Sequence, residues 1–336
     1  MGPPSPRSRA HAALSPAVPT TTSTSTLAVH LLRVNEAFPA PNSDTALNDH
    51  SLDTLIDLVD PESRVDVRKF RFLRDARRCI CGRLLALHVA STRLDQPWTA
   101  LSFRKSERGR PYLERSEPPE HAYDYNTSHD GELVAVVSVL EPRPASTSPF
   151  PGSTAPSPRV GVDVMRIRNP WDGTSVDEFV SGVAEQLAPR ELSALSRFGA
   201  GPGSDARRLR HVLALWTLKE AFVKATGEGL HRDLRSVSFE LKLDAGMGES
   251  GEGHEARRVG EGTLEGRKMD GWRFSLVEVG EDAGSSEAHE QQTYWLAVTE
   301  QATGGNGDVS LALRRPEWVR EVALAEIVAL ARDDAF

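Results

Sequence analysis

Apolar positions in the first half of the chain change their period, and each change marks a predicted element. Alternating apolar residues between Leu27 and Leu31 are typical of a half-buried strand. From Val67 to Leu84 the apolar positions recur at steps of three and four, which predicts one helix. The run LVAVVSV at 133–139 is almost wholly apolar, so it predicts a buried strand.

The second half shows the same mixture of periods. Thr174 and Asp177 form a Thr-x-x-Asp capping box, which predicts a helix start. A long helix is predicted over 207–225, because its pattern is helical and glycines follow its end. Further strands are predicted at 160–164, 237–241, 272–279, 294–298 and 309–313, loops at the Gly/Glu-rich tracts 245–262 and 280–290, and a last helix at 317–331. Helices and strands do not alternate as βαβ units, so the pattern predicts an α+β fold.

Shifts in composition divide the chain. Residues 1–24 are rich in Pro, Ser, Thr and Ala, contain no acid and show no periodicity, which predicts disorder. The same composition is found in mitochondrial transit peptides, but no amphipathic face supports that alternative. The proline-rich segment 141–158 cannot form a regular element and is predicted to be a linker. It separates an N-terminal subdomain, 25–158, from a C-terminal subdomain, 159–336.

The composition limits the class of protein. The 336 residues are 39% hydrophobic, which provides core material for about two domains of ~150 residues each. No apolar run approaches the roughly 18 residues of a membrane span. Cys79 and Cys81 match neither a disulfide framework nor a zinc site. A reducing compartment fits this cysteine usage, and the predicted location is the cytoplasm.

Positive charge is concentrated although the formal net charge is −8. Eight Lys or Arg lie between Arg64 and Arg83, against two acids, and a second cluster spans 104–110. Two basic patches on an acidic protein indicate one anionic ligand or partner at a defined place. Nucleic-acid binding through the segment 64–83 is a remote alternative, because the net charge is negative and few aromatic residues are interleaved.

Three clusters carry candidate chemistry. Asn126, Ser128 and His129 precede the strand at 133–139, and the imidazole could donate to phosphate oxygens there; the simpler interpretation is a turn histidine. Asp163 lies between two valines in an apolar strand. A carboxylate at such a position is either exposed or a metal ligand, because burying it without a cation or donors is costly.

The third cluster lies on the long helix. Trp216, Glu220 and Lys224 are spaced by four residues and share one stripe, with Lys219 beside it. A Glu–Lys surface pair explains this pattern as a structural feature worth only ~0.2–0.5 kcal/mol. Alternatively, the carboxylate binds Mg²⁺ beside lysines that contact phosphate, and Asp163 then supplies a second carboxylate.

The order and spacing of these clusters resemble the 4'-phosphopantetheinyl transferase family, in its long single-chain pseudo-dimeric class. The resemblance rests on Gly109-Arg110-Pro111, Asn126-x-Ser128-His129, Gly161-Val-Asp163-Val and Trp216-x-x-Lys219-Glu220-x-x-x-Lys224-x-x-Gly227-x-Gly229. Phe70-x-Phe72-x-x-Asp75 before Gly82-Arg-Leu-Leu adds to it. Together the motifs cover about half of the chain, from Arg64 to Leu230.

The resemblance implies two similar α+β subdomains with the active site in the cleft between them. It implies a holo-[acyl-carrier-protein] synthase that transfers phosphopantetheine from coenzyme A to a serine of apo acyl- or peptidyl-carrier domains. The second product would be adenosine 3',5'-bisphosphate. Both halves lie in one chain, which implies a monomer that uses neither nucleic acid nor a membrane. The carriers could belong to fatty-acid, polyketide, peptide or lysine (aminoadipate-reductase) biosynthesis, and the sequence does not choose among them.

The resemblance also implies roles for individual residues. Asp163 and Glu220 would hold Mg²⁺, and Glu220, directly or through a metal-bound water, would be the base for the carrier serine; Lys224 would complete the catalytic set. The residues implied to contact coenzyme A are Lys105, Arg108, Arg110, Asn126, Ser128, His129, Lys219 and Lys224.

Two positions depart from the family pattern. Met165 stands where some members have a third metal-binding glutamate, so a water would fill that place. Asp66 stands where many members have a basic residue, so Arg64 or Arg68 would have to replace that phosphate contact. A non-catalytic protein that binds coenzyme A or a carrier on the same scaffold is the alternative function, and loss of Asp163, Glu220 or Lys224 would favour it.

Overall fold

The computed structural model describes residues 26–38, 50–114, 121–142, 158–199, 203–243, 257–280, 292–313 and 315–333. The predicted disordered segment 1–24 lies outside these residues, as does most of the predicted linker. The first two linker residues belong instead to a strand that ends at Pro142.

The described residues form eight α-helices and thirteen strands. The helices are α1 (Val34–Ala37), α2 (His50–Ile56), α3 (Pro61–Arg68), α4 (Leu73–Leu94), α5 (Val176–Val183), α6 (Pro189–Leu195), α7 (Ser204–Thr226) and α8 (Leu324–Asp333). The strands are β1 (Thr26–Arg33), β2 (Ser102–Lys105), β3 (Pro111–Glu114), β4 (His121–Asp130), β5 (Leu133–Pro142), β6 (Val160–Arg166), β7 (Val237–Leu241), β8 (Arg257–Leu264), β9 (Arg267–Lys268), β10 (Asp270–Val279), β11 (Tyr294–Asn306), β12 (Asp308–Ala312) and β13 (Val319–Glu321).

The two halves repeat one topology. In the first sheet the strand order is β13-β1-β5-β4, and in the second it is β6-β11-β10-β12-β8-β7, with β9 beside β8. In each half one strand, β1 or β6, precedes a long helix, α4 or α7. A pair of antiparallel strands, β4 and β5 or β10 and β11, follows later in the chain. The last strand of that unit, β5 or β11, pairs with the first, β1 or β6. The α+β class and the pseudo-dimeric arrangement are therefore confirmed.

The run at 133–139 is apolar because both faces of β5 are buried. Val134 and Val136 pack in the core beneath α4, whereas Leu133, Ala135 and Val137 pack in a third core shared by the two sheets. Each apolar side chain of this size contributes roughly 1.5–3 kcal/mol on full burial. The second half has its own core beneath α7.

The end of the chain returns to the first sheet, so the predicted division at 158/159 is wrong for the C-terminal segment. Val319 pairs in parallel with Val29 of β1, and Ile327 of α8 is buried in the core beneath α4. The helix predicted over 317–331 begins only at Leu324, because β13 precedes it. A free strand edge accepts any strand that reaches it, and local sequence does not specify which edge that is.

Further boundaries differ from the prediction; β11, for example, extends to Asn306 beyond the predicted end at 298. The single helix predicted over 67–84 is two helices, α3 and α4, interrupted where Phe70 and Phe72 are exposed. The N-cap of α5 is Ser175, whose side chain exchanges hydrogen bonds with Glu178 in a capping box, one residue after the predicted Thr174. Residues 257–262 belong to β8 rather than to a loop. Within the described residues, no helix is long and apolar enough to cross a membrane.

Candidate active site

Glu220 and Lys224 lie on consecutive turns of α7, near its end. The helix stops at Gly227, whose φ of +71° is left-handed and whose N–H donates to the carbonyl of Val223. Glu220 and Lys224 therefore share one face, as their spacing predicts, and both line a cleft between the two halves.

Asp163 lies on β6, directly beneath α7. The contact is close because Gly161 carries no side chain: a Cβ there would lie 2.0 Å from the carbonyl oxygen of Ala221. The Lys224 ammonium donates to Oδ1 of Asp163 at 2.7 Å and to Oγ of Ser128 at 2.8 Å. Asp163 is 8% exposed, and this ion pair compensates its burial.

Glu220 completes a pair of interacting carboxylates. Partial burial raises the pKa of Glu220, the negative charge of Asp163 raises it further, and Lys224 opposes both effects. Two carboxylates close enough to repel one another fit a divalent cation, and oxygen ligands are those that Mg²⁺ takes. Met165 packs against the core of the second half. Within the described residues, no group of three His, Cys, Asp or Glu side chains could hold a metal.

The two halves meet along a ladder of side-chain hydrogen bonds between two edge strands. Alternate side chains of β4 accept from alternate backbone N–H groups of β6, so the ladder satisfies donors that an edge strand leaves free. The four pairs are Asp124 with Val160, Asn126 with Val162, Ser128 with Val164 and Asp130 with Arg166, at 2.9, 3.2, 3.2 and 2.7 Å respectively.

The ladder changes the interpretation of the Asn126-x-Ser128-His129 motif. These residues lie within β4 and not in a turn before β5. Asn126 and Ser128 are buried, and both accept hydrogen bonds from the other half, so each has a structural partner where the resemblance implied a ligand. The signal in the sequence is the polar repeat of period two, Asp124 to Asp130, which predicts one polar strand face.

The inter-sheet cleft measures about 450 Å³. Its lining combines basic side chains with three glycines, Gly109, Gly227 and Gly229. The first half supplies Arg108, Gly109, Arg110, Pro111, Asn126 and Thr127; the second supplies Gln186, Glu220, Val223, Lys224, Gly227, Gly229, Arg232 and Leu234.

A second space of about 470 Å³, the hairpin cavity, lies in the first half between α4, β4 and the β2–β3 hairpin. Pro111 and Thr127 line both spaces, so the two adjoin. The basic residues that line the hairpin cavity are Arg78, Arg83, Arg104, Lys105 and His129. Two aromatic rings, Phe103 and Tyr125, also line it with centroids 4.8 Å apart.

The predicted site residues do not include Arg78 and Arg83, although both belong to the basic segment 64–83 that was predicted to meet an anionic ligand or partner. Both lie on α4 beside a stripe of small residues, Cys79, Gly82 and Ala86, which leaves room for the cavity. That stripe, at steps of three and four, is the signal that could have located it.

His129 lines the hairpin cavity, and its contact with a ligand there stays a prediction. Burial lowers the pKa of His129, and the positive charges of Arg78 and Lys224 lower it further, so the imidazole is neutral near pH 7. Lys105 also lines this cavity, 3.4 Å from Asp66.

Neither Arg64 nor Arg68 is among the residues that line the hairpin cavity. Arg64 donates to the carbonyls of Asp57 and Val59, and Arg68 pairs with Asp53. Asp66 itself pairs with Arg83 at 2.9 Å.

Carboxylates neutralise much of the basic segment that raised the possibility of nucleic-acid binding. The basic residues of this segment that form ion pairs with described carboxylates include Arg64, Arg68, Lys69, Arg78 and Arg83.

Arg110 is held by the protein itself. Its guanidinium binds both oxygens of Asp124, at 2.8 and 2.6 Å, and donates to the carbonyls of Lys224 and Val160. The side chain therefore connects the β2–β3 hairpin, β4, β6 and α7. Arg108, two residues earlier, makes no hydrogen bond among the described residues and lines the inter-sheet cleft.

Lys219 does not reach the cleft, so the implied contact with coenzyme A does not match its position. Its side chain is 0% exposed, and its ammonium lies 2.7 Å from the carboxylate of Glu191. Adjacent residues of a helix point about 100° apart, so Glu220 faces the cleft while Lys219 faces the core.

Two family models match the chain. The model described as "4'-phosphopantetheinyl transferase, N-terminal" matches residues 47–141, and the model described as "4'-phosphopantetheinyl transferase superfamily" matches residues 159–292. The second match contains Asp163, Glu220 and Lys224.

Curated relatives have similar names. A phosphopantetheinyl transferase of Thraustochytrium sp. is 30% identical over 186 residues, which are 55% of this chain and 58% of that protein. An L-aminoadipate-semialdehyde dehydrogenase-phosphopantetheinyl transferase of Xenopus laevis is 28% identical over 184 residues, 54% of each chain. A 4'-phosphopantetheinyl transferase A of Aspergillus fumigatus is 27% identical over 221 residues, 55% of this chain and 62% of that protein. The chain thus spans less than two thirds of the length of these relatives.

Proposed function

Because the chain belongs to the 4'-phosphopantetheinyl transferase superfamily, we propose that it transfers phosphopantetheine from coenzyme A to a serine of an apo carrier domain. The observation that carries this proposal is the convergence of three residues: Glu220 and Lys224 line the inter-sheet cleft, and Asp163 pairs with Lys224 and interacts with the charge of Glu220. These are the three residues whose motifs the family resemblance singles out.

The two adjoining spaces suit the two ends of coenzyme A. The hairpin cavity offers aromatic rings for a base and Arg78, Arg83 and His129 for phosphates, so we assign the nucleotide to it. Thr127 and Pro111 mark the boundary between the spaces. The pyrophosphate would then lie at that boundary, near Lys224, with the pantetheine arm in the inter-sheet cleft.

Glu220 is suited to accept a proton from the carrier serine. Its carboxylate lines the inter-sheet cleft, where the carrier serine would have to be placed to give up that proton. The serine oxygen would form a bond to the phosphorus that carries the pantetheine arm. The bond between that phosphorus and the bridging oxygen would break, and adenosine 3',5'-bisphosphate would leave.

Asp163 and Glu220 would hold Mg²⁺, which when bound neutralises charge on the pyrophosphate. Lys224 places a further cation beside the same carboxylates. Arg108 lines the cleft and makes no hydrogen bond among the described residues, although its charge lowers the pKa of Glu228, and it would contact a phosphate or an acidic carrier surface.

The carrier is proposed to be an acyl- or peptidyl-carrier domain. Names of relatives that include an aminoadipate-semialdehyde dehydrogenase make a carrier of lysine metabolism one candidate substrate. Carriers of fatty-acid, polyketide and peptide synthesis are the others.

The test is a transfer assay read by intact mass. Purified protein is incubated with coenzyme A, Mg²⁺ and a panel of apo-carriers from all four classes, and we expect one phosphopantetheine to be added to a carrier. Two controls are a carrier whose acceptor serine is replaced by alanine and the enzyme variant Asp163→Ala. Binding of coenzyme A without a mass gain on any carrier would overturn the proposal and favour the non-catalytic alternative.

A further inference from the structure

Lys219 is a charged side chain fully enclosed by the core of the second half. Its ammonium is held by three acceptors: Glu191 Oε2 at 2.7 Å, the Gln186 carbonyl at 3.0 Å and the Leu234 carbonyl at 2.8 Å. An ammonium group has three protons to donate, so these contacts use all of them.

Glu191 extends the network to two further elements. Its Oε2 accepts from the backbone N–H of Ala188 at 2.7 Å, and its Oε1 accepts from that of Phe239 at 2.9 Å. The carboxylate is 1% exposed. The start of α6, the edge strand β7 of the second sheet and α7 are therefore joined through one ion pair.

The network reaches the active site through its backbone acceptors. Gln186 and Leu234, whose carbonyls accept from Lys219, both line the inter-sheet cleft that contains Glu220. Lys219 and Glu220 are adjacent on α7. A displacement of the α7 backbone at Lys219 relative to these acceptors is thus also a displacement of Glu220 relative to the cleft wall.

We propose that Lys219 and Glu191 form a positioning pair that holds the cleft wall at Gln186 and Leu234 in register with Glu220. This proposal rests on the proposed transfer function. A buried ion pair is often no more stabilising than apolar side chains of similar volume. Its effect here is directional: the ammonium binds two specific carbonyls, which an apolar side chain would not do.

The test compares three variants. Lys219→Met removes the ammonium and leaves the charge of Glu191 buried without a cation, with only its two backbone N–H donors. Lys219→Met/Glu191→Gln removes both charges, so no uncompensated charge remains in the core and the variant can fold where the single one fails. Arg210→Met is the matched control, because Arg210 also lies on α7 and its ion pair with Glu278 of β10 involves no residue that lines the cleft.

We expect kcat to fall about tenfold or more in both Lys219 variants, because a small misplacement of a reacting group has a large effect on rate. The KM for coenzyme A should stay within about twofold, since Lys219 does not touch the cleft. The double variant should melt at a higher temperature than Lys219→Met while kcat stays low. Arg210→Met should lower the melting temperature and leave kcat unchanged.

Hydrogen–deuterium exchange provides a readout that does not depend on activity. Peptides that cover 184–188 and 232–236 should exchange faster in both Lys219 variants and not in Arg210→Met. If the wild-type protein transfers nothing, the proposed function fails, and exchange alone decides whether the pair holds the wall. Unchanged exchange, a kcat that recovers with the melting temperature in the double variant, or a rise in the coenzyme A KM alone would each overturn the proposal.

Discussion

The ammonium of Lys224 lies 2.7 Å from Oδ1 of Asp163, and it joins the long helix of the second half to the strand at the seam between the halves. The same ammonium donates to Ser128 of the first half. One cation therefore connects three elements at the mouth of the cleft. Glu220, one turn earlier on α7, feels both charges.

Glu220 and Lys224 should respond differently to substitution. Glu220→Gln should lower kcat on the order of a hundredfold even at saturating coenzyme A, because the charge and the basicity of this group are lost. Lys224→Ala should raise the KM for coenzyme A at least as much as it lowers kcat, because it removes a cation from the phosphate side. Steady-state kinetics and melting curves of both variants test this. Small, equal losses confined to stability would mean that the two residues form only a surface pair.

Substitutions of Arg110 and Arg108 should have different effects, because Arg110 has a structural role and Arg108 a proposed ligand-binding role. Arg110→Lys keeps the charge but loses the two-point contact with Asp124, so the free energy of unfolding should fall by about 1–3 kcal/mol. Arg108→Lys should leave the stability unchanged and raise the KM for coenzyme A or for the carrier. Denaturant unfolding and KM measurements distinguish them. Equal stability of the two variants would contradict a stabilising contact between Arg110 and Asp124.

Gly161 lies in the second half and Gly82 in the first, and replacing each by alanine should change the free energy of unfolding in opposite directions. Gly161→Ala would push a Cβ into the backbone of α7, so we expect a loss of about 3 kcal/mol and a displaced Asp163. Gly82→Ala on α4 meets nothing closer than 3.8 Å and should stabilise the helix by roughly 0.5–1 kcal/mol. Thermal unfolding of both variants is the measurement. A stable Gly161→Ala protein would show that α7 does not pack on β6 as described.

Stability should decline in mild acid because of His30. Burial, together with the positive charges of His88, Arg93 and Arg320, lowers the pKa of His30 to about 4. In the unfolded chain His30 binds a proton below about pH 6.5, whereas in the folded chain it does so only below about pH 4. Protonation therefore favours the unfolded chain, and stability is lost as the pH falls from about 6.5 to about 4.

For one such group the loss is at most about 1.4 kcal/mol per pH unit. His30→Gln removes the titration, and its unfolding free energy should depend less on pH between 6.5 and 4 than that of the wild type. Parallel curves for the two proteins would show that His30 does not titrate as its surroundings indicate.

The long helix and the central strands follow from local pattern. The helical period and the terminal glycines predict α7 to within three residues at its start and one at its end, because both features act within a few residues. β7 agrees with its prediction at both ends. The spacing of Glu220 and Lys224 places them on one face for the same local reason.

The partners of the charged residues depend on the tertiary structure. Arg110, Lys219 and Asn126 have the residue types of a phosphate site, yet each binds a group of the protein itself: Asp124, Glu191 and the N–H of Val162 respectively. Asn126 and Val162 are 36 residues apart. A side chain's charge is a property of the sequence, but whether it faces a cleft or a core depends on how distant segments pack.

The sequence by itself determined the α+β class, the motifs and the face of α7 that carries Glu220 and Lys224. The tertiary structure decided that β13 and α8 close the first sheet, that Arg78 and Arg83 line the hairpin cavity, and that Lys219 lies in the core. Periodicity reports which side chains share a surface of one element. Only the burial of that surface against another element decides what those side chains bind.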